Sequence, residues 1–144
     1  MILDVNVVLA AHRDDHQAFA EVRPWFDRLT TSDDRFGVPD PVWASFVRIS
    51  TNRRIFEVPT PLEDSFAFMS SVRAQPNHVG VVPGSRHLAL FEQLCRDGDA
   101  TGDLVPDAYL AAIAIELGSE LVSLDRDFAR FPGLRWRRPR IDPE

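Results

Sequence analysis

Between Gly102 and Phe128 the chain reads GDLVPDAYLAAIAIELGSELVSLDRDF, a run suited to the inside of a packed α/β domain. Pro106 fits the first turn of a helix, where its missing N–H is not needed. From Ala108 to Leu117 nearly every residue is Ala, Leu or Ile, and a helix apolar on all sides is one surrounded by protein. Gly118 predicts the stop, because glycine takes the left-handed C′ conformation without Cβ strain. Leu121, Val122 and Leu124 then read as a short buried strand, and Asp125, Arg126, Asp127 and Phe128 follow at once.

In a parallel α/β sheet the C-terminal ends of the strands share one edge, and ligands bind in the crevice there. Asp125 ends a strand on that edge, and Asp107 opens a helix that can point to it. A third acid comes from the N-terminus: Met1 to Leu3 begin an apolar strand that Asp4 terminates, with Asn6 two residues on and the apolar run continuing through Val7, Val8 and Leu9. Three carboxylates at one edge repel one another at neutral pH unless they are protonated or neutralised by a cation. A hard divalent ion such as Mg²⁺ takes such oxygen ligands. Each acid also has a plainer role. Asp107 can simply complement a helix dipole, and Asp125 and Asp127 can cap the turn at Arg126. Asp4, lying between apolar segments, has less to gain from such a role, since an uncompensated acid there is costly.

The chain has 144 residues, enough for one domain with its own core, and 1–144 is expected to be a single domain. The N-terminal MILDVNVVLA is apolar, but it lacks a basic leader and carries Asp4. It is expected to be neither a signal peptide nor a membrane span. A lone cysteine, Cys95, rules out an internal disulfide framework and any cysteine-rich zinc site, so a cytoplasmic protein is expected. All sixteen basic residues are arginine. Without lysine there is neither a Walker-type phosphate loop nor Schiff-base chemistry. The net charge of −6 argues against a nucleic-acid partner, yet the arginines cluster at Arg48, Arg53 and Arg54 and again from Arg126 to Arg140. Either cluster suits phosphate, an acidic peptide or merely solvent.

Helical spacing runs from Asp14 to Leu29, and short strand-like pieces lie at Phe36–Val38 and His78–Val82. Helices are predicted over Val42–Ser50, Leu62–Val72 and from a Ser85 cap to Arg96, with Leu134–Trp136 as a last strand. This order predicts α/β architecture with a mostly parallel sheet. His12 and His16 have the i, i+4 spacing of helical zinc ligands, but no third ligand accompanies them.

The segments MILDVNVVL, FVRISTNRRIF and LVPDAYLAAIAIELGSELVSLDRDF, in this order, resemble PIN-domain proteins and, among them, VapC-type toxins of type II toxin–antitoxin modules. The resemblance spans nearly the whole chain. It implies a three-layer α/β/α sandwich and a Mg²⁺- or Mn²⁺-dependent endoribonuclease acting on RNA. It also implies inhibition by a small cognate VapB-like antitoxin and assembly as a homodimer or a toxin–antitoxin hetero-oligomer. Carried over by position, Asp4 matches the first metal-ligand aspartate, Asp107 the aspartate of the DA motif and Asp125 the last acid, with Asp127 as its neighbour. These acids imply metal-assisted, in-line hydrolysis of a phosphodiester. Asn6 and Ser123 match polar positions that support the site. There is one departure: Ser45 stands where the relatives carry a glutamate, and Asp103 is a candidate to restore that charge. Loss of the glutamate leaves an alternative, a catalytically weak or inactive PIN fold that only binds RNA or antitoxin.

Overall fold

Two-residue strands are enough to order this molecule because the helices around them carry the packing. The computed structural model describes residues 1–140, so the expected C-terminal boundary at Glu144 lies outside the described residues. Strands β1 (Ile2–Leu3), β2 (Leu121–Val122) and β3 (Trp136–Arg137) form a parallel sheet in the order β1-β2-β3. Ile2 pairs with Leu121, and Leu121 with Trp136. Isolated parallel bridges, Ile2 to Gly37 and Phe36 to His78, extend the pairing beyond β1. The expected strands at Phe36–Val38 and His78–Val82 are thus reduced to single contacts. Gly37 leaves no room for a side chain, since an added Cβ would fall within 2.8 Å of the Val79 carbonyl oxygen.

Around the sheet lie helices α1 (Val5–His12), α2 (Phe19–Thr31), α3 (Asp40–Ser50), α4 (Leu62–Arg73), α5 (His87–Asp97) and α6 (Val105–Glu116). This is the α/β/α architecture predicted from the sequence. Helix α1 is the element that the local pattern did not reveal. Its VNVVLAAH is rich in β-branched residues, which favour strands, yet Val7 to Ala11 are buried in the helix. Asp4 provides the start: its Oδ1 accepts from the Val5 N–H at 2.7 Å, giving one orphan donor of the first turn a partner. Helix α2 begins later than the periodicity suggested. Residues 13–18 form a turn tied by the Arg13–Asp15 ion pair and by the Ala18 N–H bonded to His16 Nδ1.

The expected Ser85 cap of α5 does not form. Instead Glu116, at the end of α6, accepts from the backbone N–H groups of Gly84 and Arg86 at 2.5 and 2.9 Å. A carboxylate at a helix start is favourable, and here another helix delivers it. Helix α6 has Pro106 in its first turn as expected, with Ala108 and Leu110–Ala114 buried. Gly118 ends it with φ +63°. Among the described residues, no helix is long and apolar enough to cross a membrane.

Candidate metal centre

The chain leaves β1 at Asp4 and β2 at Ser123, on the same edge of the sheet, because the two strands are parallel and in register. Asp4 is only 7% exposed. Besides the Val5 N–H, it accepts the Ser123 hydroxyl on Oδ2 at 2.7 Å. That hydroxyl is fully used, since it also accepts from Asn6 Nδ2 at 3.1 Å and from the Asp125 N–H at 3.0 Å. Asn6 Oδ1 takes the Leu124 N–H at 3.0 Å. Asn6 and Ser123 therefore stitch the first turn of α1 to the segment after β2. One serine hydroxyl both orients Asp4 and sets the backbone course into Asp125.

After Asp125 the chain enters a 3₁₀ turn, Arg126–Arg130, whose start is held by Asp125 Oδ1 accepting from the Asp127 N–H at 2.9 Å. Phe128, fully buried against Phe131, anchors the turn to the core, a burial worth about 2–3 kcal/mol. The turn brings Asp127 round to the side of Asp125. Asp107, in the first turn of α6, completes the group: oxygens of Asp107, Asp125 and Asp127 lie within 4.8 Å of one another. Asp125 and Asp127 thus do cap this turn, and they face a third acid as well.

The electrostatics match the geometry. Burial, helped by the charges of Asp4, Asp125 and Asp127, pushes the Asp107 carboxyl up to about 7; Arg130 opposes this weakly. Burial also raises Asp4, against the lowering effect of its hydrogen bonds from Ser123 and Val5. A half-buried carboxyl titrating near neutrality among other acids is the mark of a functional-site candidate. The donor set is all oxygen, which suits Mg²⁺ or Mn²⁺ over softer ions. Two Mg–O bonds of about 2.1 Å span about 4.2 Å end to end, so small side-chain rotations bring the three carboxylates within reach of one ion. The residues present fit such a group.

A cleft of about 360 Å³ opens beside the acids. Asp4, Asp107 and Ser45 share its wall with Pro106, Phe91 and Tyr109. Ser45 therefore lies at the site, as its sequence position implied, and brings a hydroxyl without charge. Asp103 is exposed in the 3₁₀ turn before α6 and is not one of the three clustered acids. The third acid of that cluster is Asp127. Phe91 and Tyr109, 5.5 Å apart between ring centroids, were not singled out from the sequence. Tyr109 sits two residues after Asp107, but the contribution of α5 has no local signal. The His12/His16 pair does not converge on a ligand: His12 bonds to Thr60 Oγ1 at 3.1 Å and packs on Phe46 and Phe68, while His16 bonds to the Ala18 N–H.

Comparison with known proteins decides the family. The model of the PIN domain matches residues 1–134. The chain belongs to the PIN-domain family. Among similar proteins, Ribonuclease VapC25 of Mycobacterium tuberculosis is 59% identical over 97% of this chain and 99% of its own length. Ribonuclease VapC31 of the same species is also 59% identical, over 96% of this chain and 97% of its own. In fold, the PIN domain superimposes on a chain of the VapBC2 structure from Rickettsia felis, bound to a promoter DNA fragment, with a TM-score of 0.68. That match covers 95% of this chain and 96% of the other at 14% identity, a likeness of fold alone.

Proposed function

We propose that this PIN domain is the toxin of a type II toxin–antitoxin pair and works as a metal-dependent endoribonuclease. Asp107, Asp125 and Asp127 are the carboxylates that would hold Mg²⁺ or Mn²⁺. Asp4 stands beside them: each of its oxygens already accepts one hydrogen bond, and each keeps a lone pair for the ion or for a water between them. The observation that carries the reading is this meeting of acids from three distant segments at one sheet edge, in a chain 59% identical to a ribonuclease over nearly its whole length.

When bound, such an ion supplies Lewis-acid chemistry, offsetting charge on the phosphoryl group and acidifying the attacking water. The protein's own part is positioning. Ser123 and the Val5 N–H hold Asp4 in one orientation, the 3₁₀ turn holds Asp125 and Asp127 side by side, and Phe91 and Tyr109 wall one flank of the cleft. No histidine or lysine is required. Asp127 adds a carboxylate to a site that lacks the glutamate at Ser45, and the 59% identity to ribonucleases disfavours the binding-only alternative.

The substrate is RNA, and the partner is a small VapB-like antitoxin. Ile55, Val58 and Leu62 expose at least half of their surface, apolar area of the kind that partner chains cover. Residues 1–144 act as a single PIN domain in the cytoplasm, assembled as a homodimer or with the antitoxin. The test is cleavage of total bacterial RNA by the purified protein, freed of antitoxin, in Mg²⁺ or Mn²⁺ against EDTA, beside Asp4→Asn. Discrete fragments that require the metal and vanish in the variant support the reading. Absence of cleavage by folded protein in either metal overturns it in favour of the binding-only alternative.

A further inference from the structure

Apart from Arg130, which pairs with Asp127 at 3.9 Å, the arginines of the C-terminal stretch take no part in the acid cluster, yet they do not scatter over the surface. Arg126, Arg138 and Arg140 line a groove of about 890 Å³ together with Arg28 from α2 and the ring of Trp136. Asp34 is the only acid among the described lining residues. A protein of net charge −6 thus concentrates cations in one concave place. Arg28 and Arg126 are exposed, and neither belongs to an ion pair among the described residues, although five other arginines do. Their charge is available to a ligand.

The groove is joined to the acidic edge by hydrogen bonds. Trp136 Nε1 donates to the Ser123 carbonyl at 3.1 Å, and Arg138 Nη1 to the Leu124 carbonyl at 2.7 Å. Ser123 is the residue that holds Asp4, and Arg126 lies between Asp125 and Asp127. Arg126, flanked in sequence by two of the acids, thus also lines the groove. An open groove of cations with an aromatic ring fixed in its wall is the chemistry that tracks a single strand: guanidinium groups meet phosphates and a base stacks on the ring.

We propose that this groove binds the single-stranded flank of the RNA being cut, through phosphate contacts from Arg126 next to the acids and Arg28 farther along the groove. The proposal rests on the ribonuclease reading above. It assigns the arginines to substrate reach, separate from the bond-breaking site.

The test uses two single-stranded RNAs that share one cleaved bond, of about 16 and about 4 nucleotides, the ends of the range for a single-strand site. Wild-type protein, Arg28→Gln and the Arg28→Gln/Arg126→Gln double variant are compared in Mg²⁺ or Mn²⁺. The kcat/KM on the long RNA falls by about tenfold or more for each lost charged contact. The Arg28→Gln variant keeps wild-type cleavage of the short RNA. Binding of the long RNA in EDTA loses salt dependence: removing two phosphate contacts flattens the slope of log K against log salt by about 1.4. An unchanged long-to-short ratio with an unchanged slope overturns the groove assignment. So does a double variant that loses affinity only for an acidic peptide, which would make the groove a protein-docking site. Thermal unfolding of each variant confirms that the fold is kept. If wild-type protein cuts neither RNA, the ribonuclease reading itself has failed; if it cuts both and the ratio does not respond, only the groove has failed.

Discussion

The acidic cleft with its acid cluster and the arginine groove both adjoin the Ser123–Asp127 segment and are built in opposite ways. In the cleft, like charges are forced together by backbone geometry. Two parallel strand ends, a helix start and a 3₁₀ turn leave Asp107, Asp125 and Asp127 within 4.8 Å and Asp4 close by. Burial, and after it the charges of Asp4, Asp125 and Asp127, push the Asp107 carboxyl up to about 7. In the groove, like charges sit on long side chains, those of Arg28, Arg126 and Arg140 exposed, that can move apart in solvent. The first arrangement stores an imbalance that a cation resolves, as suits chemistry at a point. The second spreads charge over a surface, as suits holding a polymer.

If that division of labour is right, the largest effect belongs to the cleft. Asp107→Asn removes a carboxylate where the ion supplies several kcal/mol of charge stabilisation. Cleavage should fall by at least about a thousandfold on long and short RNA alike. A variant that spared the short RNA would erase the distinction between the two regions. Next is the serine that serves both. Ser123→Ala leaves buried Asp4 with only the Val5 N–H as donor and frees the Asn6 amide and the Asp125 N–H, so denaturant unfolding should report a loss of about 1–3 kcal/mol. Stability close to wild type would mean that water replaces the hydroxyl and that Asp4 is less tightly held than its burial implies.

A third effect is specific to the metal-free cleft. With a folded pKa of about 7 against an ordinary value of 3.8, Asp107 makes the native state bind more protons than the unfolded chain between those limits. Its contribution to stability is complete below about pH 4 and is lost as the pH rises through about 7; Asp4, also raised, acts in the same sense. The melting temperature in EDTA should therefore decline across this window, and Asp107→Asn should flatten the decline, whereas Arg28→Gln should leave it unchanged. A profile that Asp107→Asn does not alter would place the charge imbalance elsewhere. The smallest effect falls outside both regions and serves as a control. Glu116→Gln weakens the start of α5 by no more than about 1 kcal/mol, read as a slightly lower melting temperature with cleavage intact.

The acids were legible because each stands at a grammatical boundary of the chain. Asp4 follows an apolar strand, Asp107 follows the proline that opens a helix, and Asp125 ends a buried run; the rule that parallel strand ends share an edge then joins them. Helix α1 was not legible as a helix. VNVVLAAH has β-branched residues and no polar face, so neither propensity nor periodicity distinguishes a buried helix from a strand there. The expected strand at His78–Val82 failed for the related reason that a single paired residue leaves no pattern. The Ser85 cap was reasonable from local chemistry, but Glu116, thirty-two residues from Gly84, occupies the same role from another helix.

By itself, then, the sequence determined the architecture class, the family and the acids at the sheet edge, because strand ends, helix starts and stops are local events written in a few residues. Tertiary structure decided which acids meet. It turned Asp127 toward Asp107 and left Asp103 in solvent, because a 3₁₀ turn anchored by buried Phe128 sets that direction. It also brought Arg28 of α2 to the arginines of the tail, across more than ninety positions of the chain. Burial and long-range packing assemble such surfaces, and no local pattern records which distant side chain will face them.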